Sequence, residues 1–159
     1  MINEKDKKIL LELLKNGRIS FADLGRKVHM TRQSVYSRIK SLQHTGIIRN
    51  FTVNLDKKKL GLNIIAYILI DTELKALKSK ELENLIKLPQ ITEVHHVFGR
   101  CNLILEVRAR DINELSGIIK KIHESPYIRK TETLIVHTTR KFKPDHSVEG
   151  ILSNAAAGI

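Results

Sequence analysis

The sequence predicts an α+β chain in which an all-helical part precedes a strand-rich part, and two changes along the chain predict it. The first is in hydrophobic period. Apolar residues fall at helical spacing from Asn3 to Gly46, and after that they come in short, largely β-branched runs. The second is in charge. Residues 1–60 carry fourteen Lys/Arg against five Asp/Glu, whereas residues 61–159 carry fourteen against twelve. Most of the formal net charge of +11 therefore sits in the first part, which is the footprint of a segment that faces a polyanion.

In the first part, Ile9, Leu10, Leu13 and Leu14 make one amphipathic helix, capped by Asn3 and stopped near Gly17. Ser20 with Asp23 three residues on has the form of a capping box for a second helix, carrying Leu24 and Val28. Thr31 caps a third, in which Val35, Ile39 and Leu42 follow at i, i+4 and i+7, and Gly46 closes it. Three short helices in so few residues predict a helix-turn-helix unit over 1–48.

The second part opens with IIRNFTVNL (47–55), which reads as a short strand, and DKKKLG (56–61), a charged turn; 49–61 is thus expected to be a linker strand and hinge. NIIAYILI (63–70) is almost wholly apolar and predicts a central strand buried on both faces. KSKELENLIKL (78–88) is helical, with Leu82, Leu85 and Ile86 on one side, and Pro89 ends it. ITEVHHVFG (91–99) and NLILEVRA (102–109) predict two strands joined at Gly99–Asn102. Asp111 starts a helix with Leu115, Ile118, Ile119 and Ile122 that ends before Pro126, and IRKTETLIVHTT (128–139) is a last strand. The order βαββαβ over 62–142 predicts a ferredoxin-like sandwich, an antiparallel sheet with two helices on one face. Residues 143–159 read as a C-terminal tail, with 153–159 expected to fray.

Chemistry concentrates in the third helix. Residues 30–42, MTRQSVYSRIKSL, hold three cations (Arg32, Arg38 and Lys40) and no acid. At about 100° per residue, a helix with Val35 turned to the core directs Gln33 and Ser37 away from it, with Lys40 and Tyr36 beside them and Ser34 on the other flank. Amides and hydroxyls suit base edges in a major groove, and cations suit phosphates. A solvated surface is the bland alternative. The capped helix ahead, the tight turn and the local charge favour DNA. Thr31, Arg32, Gln33, Ser34, Tyr36, Ser37, Arg38 and Lys40 are the candidate contacts. Arg38 lies about 60° from Val35 and has two open roles, a phosphate contact or an ion pair with Asp6 or Glu12.

Other classes find little support. No apolar run reaches the roughly 18 residues of a membrane span, and the N-terminus lacks the apolar core of a signal peptide. A soluble cytoplasmic protein, associated with the nucleoid, is expected. His95 and His96 are neighbours on a predicted strand and point to opposite faces, so no metal site is expected there. Cys101 sits beside Arg100 without a spaced histidine partner, and one cysteine forms no internal disulfide. No triad pattern and no phosphate-cradling glycine loop occurs, so neither an enzyme nor a cofactor is predicted.

RISFADLGRKVHMTRQSVYSRIKSLQHTGIIRNFTVNLDKKKLG resembles the DNA-binding half of the leucine-responsive regulatory protein family (Lrp/AsnC), and the resemblance runs from about Asp6 to about Phe142. It is carried by RIS before the second helix, V-x-x-R-I-x-x-L-x-x-x-G-I-I through the third, the KKLG linker and the Gly99 turn. It implies a transcriptional regulator that acts on double-stranded DNA as a homodimer, often assembled into an octamer or larger particle, and that often responds to an amino acid. It places the effector near the turn, so Gly99, Arg100 and Asn102 are the candidate effector residues. The family commonly carries Gly-x-x-Asp there, and this chain has GRCN. An amide in place of the acid removes a charged acceptor for an amino acid's ammonium, while Arg100 suits its carboxylate; alternatively, Asn102 only holds the turn. An effector-independent chromosome organiser, or a metabolite-binding regulatory subunit of an enzyme, are the competing readings.

Overall fold

The computed structural model describes residues 2–73 and 79–154. Lys78, the first residue of the helix expected over 78–88, and the end of the tail at 155–159 lie outside them. Residues 1–54 together with the chain from Lys141 make one compact unit, and 55–140 make a second.

The first unit holds α1 (Glu4–Lys15), α2 (Phe21–Val28) and α3 (Arg32–His44). Each begins where a polar side chain takes up an orphan backbone N–H. Asn3 and Asp6 form a reciprocal capping box on α1. Ser20 Oγ accepts from Asp23 N at 3.0 Å, and Thr31 Oγ1 accepts from Ser34 N at 3.1 Å. The Ser20 hydroxyl also donates to the Asp23 carboxylate at 2.6 Å. Ile9, Leu24, Val28, Val35, Ile39 and Leu42 form the core; of the other residues expected on the apolar side of α1, Leu10 and Leu13 pack on it partly buried and Leu14 is exposed. A further helix, α6 (His146–Asn154), lies in the stretch read as a tail; it packs on α1 with Leu152 buried.

The second unit is the βαββαβ sandwich: β1 (Ile64–Thr72), α4 (Lys80–Ile86), β2 (Ile91–His96), β3 (Leu103–Ala109), α5 (Ile112–His123) and β4 (Ile128–Ile135). The sheet order is β2-β3-β1-β4, antiparallel throughout, so β1 and β3 are central. Ala66, Ile68 and Ile70 of β1 and Leu103, Leu105 and Val107 of β3 share one face with Leu82 and Leu85 of α4 and Leu115, Ile118 and Ile122 of α5. The opposite face carries Tyr67, 38% exposed, and half-buried Ile65 and Ile104. β1 is thus covered fully on its helix side, and only in part on the other.

Two expectations need correction. Residues 47–55 form no strand, and Phe51, Val53 and Leu55 are exposed. β-branched composition marks residues that suit a pleated, packed surface, and without a paired neighbour it makes no strand. Ile86, expected on the packed side of α4, is 38% exposed. It sits at the last position of a seven-residue helix whose buried pair, Leu82 and Leu85, already faces the sheet.

Candidate nucleic-acid interface and regulatory turn

The candidate recognition surface is built by the α2–turn–α3 corner. His29 ends α2 in the left-handed conformation, φ 54°, and its N–H reaches back to Gly25 O. Met30 N also donates to Gly25 O at 2.8 Å. The approach is so close that a Cβ on Gly25 would lie 2.6 Å from the Met30 carbonyl oxygen. Only glycine fits there, so Gly25 sets the angle at which α3 leaves α2. Sequence reasoning missed this residue, although a glycine inside a helical pattern is a signal for such an approach.

On α3 the candidate residues divide. Arg32, Gln33, Tyr36, Ser37 and Lys40 are exposed, while Val35, Ile39 and Leu42 are buried. Thr31 and Ser34 are exposed, and their hydroxyls bond to each other at 2.9 Å. Arg38 is turned to α1: its guanidinium donates to Asp6 Oδ1 at 2.8 Å and more weakly to Asn3 Oδ1 at 3.3 Å. Of its two open roles, the ion pair is the one formed.

Charge compensation on this unit is uneven. Lys15 and Lys27 both reach Glu12, each at 2.7 Å, and these bonds hold its carboxyl below the usual range. Arg26 pairs with Asp23, whose carboxyl is lowered first by the Ser20 hydroxyl and then by Arg26. Arg32 and Lys40 have no carboxylate partner among the described residues, and Lys40 instead lies 5.8 Å from the centroid of the Tyr36 ring. Lys7 and Lys15 of α1 and Arg26 and Lys27 of α2 are thus paired with acids, whereas Arg32 and Lys40 on the outer face of α3 are not, among the described residues.

In the second unit, Gly99 takes φ 145°, which an L side chain adopts only under strain. Asn102 Oδ1 accepts from Thr72 N at 2.8 Å, and Asn102 N donates to Ile70 O at 2.9 Å. Asn102 therefore pins the turn to the end of β1, a task its amide oxygen performs as well as a carboxylate would. Arg100, in contrast, lines a depression of about 120 Å³ with Leu69, Asp71, Cys101, Lys130, Thr131 and Glu132. Its guanidinium lies 3.4 Å from Glu132, and Arg129 lies 3.9 Å from Asp71. Asp71 and Glu132 put two acids on a site whose sequence reading offered none. Their relation to the turn rests on the register of β1 with β4, which pairs Leu69 with Glu132 and Asp71 with Lys130. Cys101 is buried, and His95 pairs with Glu93 at 3.0 Å on the sheet.

A capped three-helix unit with an unneutralised helix face, followed by a βαββαβ sandwich, defines a helix-turn-helix DNA-binding regulator with a separate ligand-type domain. Comparison with known proteins agrees part by part. Residues 2–43 match the AsnC-type helix-turn-helix domain, and residues 65–145 match the Lrp/AsnC ligand binding domain. The chain belongs to the Lrp/AsnC family of transcriptional regulators. It is 35% identical over 144 residues to an uncharacterized HTH-type transcriptional regulator of Pyrococcus furiosus, covering 89% of this chain and 96% of that one. It is 30% identical over 141 residues to the HTH-type transcriptional regulator FL11 of Pyrococcus horikoshii, covering 88% and 92%. Among solved structures it is similar to AsnC of E. coli, with a TM-score of 0.83, 26% identity, and 90% and 97% of the two chains covered. Among the described residues no helix is long and apolar enough to cross a membrane.

Proposed function

We propose that this regulator binds DNA sequence-specifically in the cytoplasm, on the nucleoid, as a homodimer or a multiple of it. The observation that carries the reading is the outer face of α3, where Arg32 and Lys40 lack acidic partners beside exposed Gln33 and Ser37. Gln33 and Ser37 read base edges, Arg32, Tyr36 and Lys40 engage the backbone and groove walls, and Thr31 and Ser34 fix the helix start. A two-fold axis sets two copies of α3 in successive major grooves. The partly bare sheet face of Ile65, Tyr67 and Ile104 supports self-association, because apolar surface of this kind is stabilised by a partner. A mobility-shift assay on the region upstream of its own gene, with an unrelated duplex as competitor, tests the reading. Preferential retention of the upstream duplex is expected; equal retention of both favours the chromosome-organiser alternative.

The turn at Gly99, Arg100 and Asn102 is proposed as the effector site. Asn102 shapes it, Arg100 receives a carboxylate, and Asp71 or Glu132 receives an ammonium. This supports an α-amino acid as the effector despite the missing family acid. Calorimetric titration of an amino-acid panel is the test, and no heat of binding from any member overturns it.

A further inference from the structure

One part of the α3 face is not explained by phosphates or by amide hydrogen bonds. Tyr36 is 41% exposed, yet its ring is tilted at 60° against Phe21 of α2 with centroids 5.8 Å apart. These two rings, with Arg32 and Gln33, wall an open notch of about 420 Å³. Gln33 and Tyr36 are three residues apart, so they are neighbours on the helix surface. An aromatic wall thus stands immediately beside the residue best suited to a base edge, with Arg32 at its lip and the Lys40 ammonium over the Tyr36 ring.

The major groove presents one apolar group, the 5-methyl of thymine, and an amide side chain pairs bidentately with adenine N6 and N7. We infer that the Phe21–Tyr36 notch receives a thymine methyl next to an adenine read by Gln33, so that each half-site contains an A·T-containing step at this point. This rests on the proposal that α3 enters the major groove, and it adds what the helix reads there. The flanking cations suit the occupant: Arg32 and Lys40 meet the phosphates on either side of the base while the rings meet its methyl. Tyr36 and Phe21 are then specificity-determining residues, and polar base edges are read only by their neighbours.

The test removes the methyl from the DNA and leaves the protein intact. The full chain selects its preferred duplexes from a random pool, and each thymine of the best duplex is then replaced singly by deoxyuridine. One or two positions in each half-site should weaken binding about fourfold on loss of the methyl, the effect of withdrawing one methyl-sized group from an apolar contact. In Tyr36→Ala, and in the milder Phe21→Leu, the ratio of thymine-duplex to uracil-duplex affinity should shrink towards unity, whatever the change in overall affinity. If uracil is tolerated at every position although a sequence preference is found, the notch reads no methyl, and the inference falls while the proposed function stands. A methyl effect that persists in full in Tyr36→Ala overturns the assignment to this notch. If selection returns no preferred sequence, sequence-specific reading itself is overturned, and this inference with it.

Discussion

The outer face of α3 and the depression at the Gly99 turn are both polar, and they differ in how charge is balanced. On α3, Arg32 and Lys40 have no acid within reach among the described residues, although Glu12 and Asp23 neutralise Lys15, Lys27 and Arg26 nearby. At the turn, Arg100 faces Glu132 and Arg129 faces Asp71. An unbalanced surface suits a partner of one sign and great length. A balanced one suits a small partner that carries both signs. The same residue types therefore suit two kinds of ligand, and the neighbours decide which.

The largest consequence is in salt dependence. If a dimer neutralises about 6–10 phosphates, its DNA affinity should fall by roughly three to five decades between 50 and 200 mM salt. Amino-acid binding at the turn should change far less over the same range, since it releases no counterion atmosphere. Fluorescence anisotropy and calorimetry at matched ionic strengths measure both, and parallel slopes would erase the contrast.

Next in size is Arg100→Ala. Loss of a charged hydrogen bond to a carboxylate should weaken amino-acid binding by about 1.5–3 kcal/mol. Asn102→Asp, which retains the oxygen that accepts from Thr72 N, should leave it nearly unchanged. A large gain from Asn102→Asp would instead mean that the acid itself binds effector. Gln33→Ala should lose roughly 1–3 kcal/mol of discrimination at one base pair, with non-specific binding little affected. Competition between cognate and single-mismatch duplexes reads this directly.

Smaller effects sharpen the comparison within the first unit. Lys40→Ala should weaken all duplexes alike and lower the salt slope by about one, whereas Lys27→Ala, already bound to Glu12, should lower it less. In the second unit, Glu114 is held at about 2 by the Arg110 backbone N–H first, then by Gln90 and the Arg110 side chain. Because its folded value lies below the ordinary carboxyl value of 4.5, its stabilisation is present above that value and fades as pH falls towards about 2. Acid titration of Glu114→Gln, followed by circular dichroism, should show a shallower pH dependence of stability than wild type in that window.

Much of this was legible before any coordinates. Caps at Asn3, Ser20, Thr31 and Asp111 are local chemistry, written in residues three apart. The buried set of α3 follows from its period alone. Where reading failed, a partner distant in sequence decided. Residues 47–55 have strand composition and no strand to pair with, and Arg38 had two acids in range until packing of α1 on α3 brought it to Asp6. Asn102 had two open roles, a missing charged acceptor or a brace for the turn, and the N–H its oxygen serves is on Thr72, thirty residues away.

By itself, then, the sequence determined the two-part α+β order, the segregation of positive charge and the outward face of α3, because periodicity, capping and composition act within a few residues. The tertiary structure alone decided that Gly25 must have no side chain, that Phe21 and Tyr36 form one notch, and that Asp71 and Glu132 stand beside Arg100. Each of these depends on how closely two separate stretches of backbone approach, a distance that is set by packing and sheet register and is written in neither stretch alone.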